Sequence, residues 1–306
     1  MRTLAKNGAV QCPQKIPSDL IKENCVPPGF MVPSGWDIVS KYYQDVENEK
    51  WVPYSIMVQD PLVADGSDHE GQYGTHHFKL YVNGDKKRSP WHDIPLKPDK
   101  SAHNDENLYN MVIEIPMYST AKMEMNKEID GNPIMQDEKN GKPRYYTYGV
   151  PFFNYGFLPQ TWEDVDHVDP SSKAKGDGDP IDVIELGEGP LGIGTVVTGK
   201  ILGSMELIDE GETDHKIIML RSSDPHFHSV DSMADLERVK PGITAKLDDW
   251  LTSYKTSDGK PENKLTSDTP TNPTKASEIV DEVHRFYNSL VADPARGKKL
   301  GYSMSS

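Results

Sequence analysis

Between residues 54 and 221 short β-type runs alternate with clusters of turn residues, and this punctuation limits the chain more than any other feature. The runs cover 54–58, 76–82, 111–116, 144–148, 181–186, 195–202, 205–208 and 216–221. Short strands at such regular spacing point to a barrel. The acidic stretch 209–214 holds a glycine and lies between two runs, so it reads as a hairpin loop. Helical periodicity comes late. Ile243, Leu247, Trp250, Leu251 and Tyr254 share one face, and Ile279, Val283, Phe286, Tyr287 and Leu290 recur at helical steps after Asn272-Pro273. Asn at the cap with Pro at the first helical position is a start signal. Before the strands, residues 1–53 carry Pro13, Pro17, Pro27, Pro28, Gly29, Pro33 and Gly35 without a sustained period and read as an extended N-terminal arm. Residues 54–306 then form a single domain, mainly β (α+β) with flanking helices.

The charge balance narrows the function classes. With 33 Lys and Arg against 48 Asp and Glu, the net charge is −15, and no basic cluster of groove size occurs, which argues against a nucleic-acid partner. No stretch reaches the ~20 apolar residues of a membrane helix, so no membrane partner is expected. Met1–Gly8 is positively charged but leads into no apolar segment, so a secretory leader is not expected. Cys12 and Cys25 are the only cysteines and read as two free thiols in a reducing, cytoplasmic setting, with an organelle not ruled out.

The densest chemical signal is Gly176-Asp177-Gly178-Asp179-Pro180-Ile181-Asp182-Val183. Three carboxylates this close repel one another unless a cation joins them, and hard divalent cations such as Mg²⁺ suit clustered oxygens. Strand alternation alone would separate Asp182 from Asp177 and Asp179, but Pro180 bends the segment and lets all three converge. In isolation the segment reads equally well as a solvated acidic turn. Its company favours chemistry. Asp209 and Asp214 lie in the acidic hairpin, Glu114 and Glu124 lie in and after an apolar run, and Lys122, Arg144, Lys216 and Lys255 lie among β segments. Carboxylates for metals and cations for oxyanions are what phosphoryl transfer requires.

Competing motifs fail on context. Gly187-Glu188-Gly189-Pro190-Leu191-Gly192 matches G-x-G-x-x-G but continues as strand, with no helix N-terminus to face a pyrophosphate group. An EF-hand needs an oxygen ligand at its fifth position and Gly at its sixth, where Ile181 and Asp182 stand. An aspartyl-phosphate enzyme needs an apolar strand running into its first Asp, and Lys173-Ala174-Lys175-Gly176 is not one.

The ordered segments SPWHDIPL (89–96), NMVIEIP (110–116), AKMEM (121–125), NYGFLPQTWED (154–164), GDGDPIDVIELGE (176–188), DEGETDHK (209–216) and YKTSDGKPEN (254–263) together resemble the soluble family I inorganic pyrophosphatases of eukaryotic type. The resemblance runs from about Ser89 to Leu290. It implies a distorted five-stranded OB-like β-barrel with helices packed outside, and Mg²⁺-dependent hydrolysis of inorganic pyrophosphate by a metal-activated water. It also implies a homodimer. By that resemblance Asp177, Asp182 and Asp214 hold the activating metal, Asp182 reaches a second, and Asp209 with Glu124 binds metals arriving with the substrate. Asp179 is the general base, Glu114 supports the metal waters, and Arg144, Lys122, Lys216, Tyr155, Tyr254 and Lys255 bind phosphate. Between Arg144 and Asn154 the chain has the shorter connection YYTYGVPFF, in which the additional tyrosine of fungal and animal members has no clear counterpart and Tyr148 is an open candidate.

Overall fold

A computed structural model describes residues 63–64, 66–84, 88–99 and 107–304, and in addition the backbone of strand segments between Val10 and Val58. Five strands carry the architecture: β1 (Leu108–Ile115), β2 (Asn154–Phe157), β3 (Asp182–Glu185), β4 (Val196–Asp209) and β5 (Glu212–Arg221). Antiparallel pairing joins β1 to β2, β2 to β3, β4 to β5 and β4 to β1, while β3 runs parallel to β5. The ring therefore closes in the order β1-β2-β3-β5-β4, which is the distorted OB-like barrel expected.

Local chemistry explains the joints. Between β4 and β5 the turn residues Glu210 and Gly211 both have positive φ, 50° and 97°, the geometry that matches a tight hairpin to strand twist. Consequently Asp209 and Asp214 stand on strands and not in a floppy loop. The two runs 195–202 and 205–208 are one strand, β4, with a register shift between Ile201 and Gly203. A side chain at Gly203 would collide with the Thr271 carbonyl, so the apparent break in the sequence is a bulge against a neighbour.

One expected strand is absent. Residues 144–148 make only an isolated bridge, Tyr145 with Ala121, although Arg144 and Tyr146 bond the backbone of Thr120, Lys122 and Asp137. Conversely, β2 was not foreseen. Its Asn-Tyr-Gly-Phe sequence has low β propensity, yet Gly156 is required because a Cβ there would overlap the Val112 carbonyl of β1.

The two helices read from periodicity are present, preceded by one, Met233–Val239, that the sequence did not reveal. α1 (Met233–Val239) is capped by Ser232, α2 (Ile243–Ser253) buries Ile243, Leu247, Trp250 and Leu251, and α3 (Pro273–Ala292) begins with the Asn272 side chain accepting from Lys275 N–H at 2.8 Å. α1 and α2 pack with Ile184, Ile218 and Leu220 in one core, while α3 packs through Ala276, Val280 and Val283 on Val183, Ile217 and Met219. Alternate residues of β5 thus serve different cores. Each fully buried large apolar side chain contributes about 1.5–3 kcal/mol, so the ring is fixed from both faces. In the N-terminal region Lys50–Val58 pairs antiparallel with Ile38–Asp45. The boundary expected at 53/54 falls within that strand. The side chains of Cys12 and Cys25 lie outside the described residues.

Candidate active site

The acidic motif is held in place before any cation is considered. Lys175–Gly176 pairs in parallel with Glu212 and Thr213, which brings Asp177 beside Asp214. Gly178 then turns the chain at φ 82°, and its carbonyl accepts from Lys127 Nζ at 2.9 Å, Trp162 Nε1 at 3.2 Å and the Tyr302 hydroxyl at 3.1 Å. Asp179 N–H closes the turn on Asp177 Oδ1 at 2.9 Å. Asp182 opens β3 directly opposite Lys216 on β5. Alternation along β5 puts Asp214 and Lys216 on one face and His215 on the other.

All thirteen residues singled out from the sequence line one cleft of about 600 Å³. At its centre Lys216 Nζ donates to Asp182 Oδ2 at 2.5 Å, Asp214 Oδ1 at 2.5 Å and the Tyr155 hydroxyl at 2.9 Å. On one wall Lys122 meets Glu124, and both Lys122 and Arg144 reach Asp137 Oδ2, at 3.2 and 3.1 Å. Gln136 Nε2 fixes that wall by donating to the carbonyls of Lys122 and Arg144 at 3.0 and 2.7 Å. Opposite, at the end of β4, Lys255 Nζ contacts both oxygens of Asp209 at 2.5 Å, and Tyr254 donates to Asp209 Oδ2 at 3.5 Å. Glu114 is buried, and its Oε1 accepts from Met125 N–H at 2.6 Å.

Burial sets the electrostatics. It pushes the Asp214 carboxyl up to about 7, against the pull of Lys216 and with the help of Asp182. Burial likewise raises Asp177 and Glu114 well above the carboxylate range, reinforced by Glu163 in the first case and Asp182 in the second. Lys122 is lowered by burial despite Asp137. Burial opposes the charge of Lys216 too, yet Asp182 and Asp214 hold it well above its usual value. A site whose carboxylates want cations and whose ammonium groups want anions is one that will exchange its internal pairs for a metal and an oxyanion.

Several participants were not visible in the sequence. Asp179, the expected base, is ion-paired with Lys127, a residue with no distinguishing spacing. Asp137, which joins Lys122 to Arg144, carries no motif. Glu163 lies next to the end of the segment 154–164, and its ligand oxygen lies with those of Asp177 and Asp214 within 4.8 Å of one another. Asp182 instead bonds Lys216. Tyr148 donates to Asp249 at 3.1 Å, whereas Tyr146 lines the cleft. The tyrosine of the short connection that reaches the site is therefore Tyr146.

The donor set fits a hard divalent cation: it is all oxygen, and Glu163 Oε2 is buried without a hydrogen-bond partner. No helix among the described residues is long and apolar enough to cross a membrane.

Comparison with known proteins agrees with this geometry. Residues 111–288 match the family described as inorganic pyrophosphatase. The inorganic pyrophosphatase of Candida glabrata is 41% identical over 235 residues, covering 75% of this chain and 80% of that protein. Among solved structures, the inorganic pyrophosphatase of Schistosoma japonicum superposes with a TM-score of 0.69 at 38% identity, covering 73% of this chain and 80% of that one. The type I inorganic pyrophosphatase of Toxoplasma gondii gives 0.68 at 36% identity, covering 73% and 98%. The matched stretch contains the whole ring from Met111 onward and every one of the thirteen cleft residues, so the chain belongs to the inorganic pyrophosphatase family.

Proposed function

We propose that this chain hydrolyses inorganic pyrophosphate to two phosphates with Mg²⁺ as cofactor, by direct attack of water and without a phosphoenzyme. The observation that carries the reading is the pairing pattern of the cleft, in which Lys122, Lys216, Lys255 and Arg144 each face a carboxylate of the same site. Asp177, Asp182 and Asp214 are the ligands of the activating cation, and Asp209 and Glu124 take those that enter with the substrate. When bound, Mg²⁺ supplies Lewis acidity that lowers the pKa of its water and neutralises phosphate charge.

The remaining chemistry belongs to the chain. Asp179 is nearly half exposed at the mouth of the cleft and accepts the proton of the attacking water, with Lys127 orienting its carboxylate. Arg144 and Lys122 bind one phosphoryl group, and Lys255 with Tyr254 binds near Asp209. Lys216 and Tyr155 stand between them and stabilise the charge of the leaving phosphate. Glu114, buried behind the ligands, orients water in the site. The working form is a cytoplasmic homodimer with no membrane partner, and the net charge of −15 argues against a nucleic-acid partner.

The test is phosphate release from pyrophosphate with Mg²⁺, with excess chelator and with Ca²⁺ alone. Mg²⁺ should support turnover and Ca²⁺ should not, since Ca²⁺ prefers about 2.3–2.6 Å oxygen distances that a tight octahedral site does not offer. Undiminished turnover in chelator would refute the reading.

A further inference from the structure

Glu163 is joined to the acidic turn on both sides of its peptide: Glu163 N–H donates to the Asp179 carbonyl at 2.9 Å and Gly178 N–H to the Glu163 carbonyl at 3.0 Å. Its side chain, 3% exposed, lines a small chamber behind β5 together with His215. There Oε1 accepts from His215 Nδ1 at 2.7 Å, and the opposite ring nitrogen of His215 contacts Glu206 Oε2 at 3.1 Å. Ser171 in turn donates to Glu206, at 2.6 Å to the same oxygen. The imidazole is thus gripped by carboxylates at both nitrogens and has no freedom to rotate away.

The second oxygen of Glu163 is different. Oε2 is buried and has no hydrogen-bond partner, which costs about 1–3 kcal/mol or more for a charged group unless something else satisfies it. A carboxylate serving only as a counter-ion for His215 would leave that buried oxygen unsatisfied. Asp177 and Asp214 each place a ligand oxygen within 4.8 Å of that of Glu163.

We propose that Glu163 contributes an oxygen to the ligand shell of the cation held by Asp177 and Asp214, and that His215 is a positioning residue that aims it there from the opposite face of β5. The inference rests on the reading of the cleft as a divalent-cation site and adds to it a carboxylate from outside the acidic motif 177–182 and the hairpin 209–214. Strand alternation makes the arrangement possible: Asp214 faces the cleft, its neighbour His215 faces the chamber, and Glu163 bridges the two by lying beside the turn that carries Asp177. Lys216 offsets part of the charge of Asp214 and Asp182, and His215 offsets Glu163, so the shell gathers with a remaining negative charge that the cation would balance.

The experiment measures Mg²⁺ binding to the full chain without pyrophosphate, by titration calorimetry, for wild type, Glu163→Gln and His215→Gln, with metal-free melting curves establishing that each is folded. Glu163→Gln should weaken Mg²⁺ binding by about 10–100-fold, and His215→Gln should weaken it by less because the carboxylate remains but loses its aim. Glu206→Gln, one step further from the cleft, should have the smallest effect. A folded Glu163→Gln protein that binds Mg²⁺ within twofold of wild type overturns the proposal. If that variant does not fold, unchanged binding in folded His215→Gln overturns it. Wild type that binds no Mg²⁺ without substrate refutes the cation-site reading itself, a result separate from the first two.

Discussion

At the scale of single residues, Asp214 decides how the site responds to pH. Its carboxyl is raised to about 7, chiefly by burial, so in the metal-free folded protein it keeps a proton below that value. A raised acid favours its protonated form, and an entering cation must displace that proton. Apparent Mg²⁺ affinity should therefore fall by up to about tenfold for each pH unit below 7 and level off above it. Comparing the Mg²⁺ needed for half-maximal rate at about pH 6 and about pH 8 checks the sign, and an equal requirement would contradict it. The same residue distinguishes a metal ligand from a surface acid. Asp214→Ala should raise the Mg²⁺ requirement by about 10–100-fold. Glu210→Ala should leave it nearly unchanged, since Glu210 is exposed on the hairpin turn and pairs with Lys260 at 2.6 Å. Titrating activity against Mg²⁺ for both variants tests the order. Asp214 was legible as one of the clustered carboxylates of the acidic hairpin and through the segment DEGETDHK. Asp137 and Lys127 were not, since one charge in a polar loop looks the same whether it faces solvent or a neighbour 50 residues away.

At the scale of elements, the turn 177–179 is a rigid part with one indispensable joint. Gly178 has φ 82°, and a Cβ there would lie 2.7 Å from the Tyr302 hydroxyl and 2.9 Å from Val165 Cγ1. Gly178→Ala combines left-handed strain with two contacts that must give way, and should cost about 1–3 kcal/mol of stability. Because the Gly178 carbonyl and both neighbouring carboxylates move together, Mg²⁺ affinity should fall as well. Thermal melting in chelator measures the first effect and metal titration the second; a variant matching wild type in both would show the turn to be tolerant. Elements were legible where side-chain period reports burial, as along α2 and α3, whose apolar faces and Asn272 cap appear as expected. β2 was illegible for the opposite reason, since Gly156 is there for what it lacks. The run 144–148 has strand-like residues but makes only one isolated bridge, and pairing is a property of the fold, which the segment alone does not contain.

At the scale of the whole molecule, closure of the ring is what turns scattered motifs into one site. β3 and β5 are adjacent only because the barrel closes, and that adjacency puts Asp182 opposite Lys216 from a position 34 residues distant. The N-terminal region contributes none of these contacts among the described residues: all thirteen cleft positions lie between Glu114 and Lys255, within a matched stretch that begins at residue 111. A truncation that removes residues 1–62 takes away the paired strands Ile38–Asp45 and Lys50–Val58 together, and leaves no half-strand exposed as a cut at 53/54 would. If the catalytic unit is the single domain read from the sequence, the truncated protein should keep turnover per folded molecule within about tenfold, a loss of no more than about 1.4 kcal/mol in transition-state stabilisation. Any cost should appear instead in melting temperature or in subunit association, both measurable on the same sample by calorimetry and light scattering. A loss of more than about a hundredfold in a truncated chain that still melts cooperatively and still binds Mg²⁺ would mean that the arm completes the site, and the domain division would have to be redrawn.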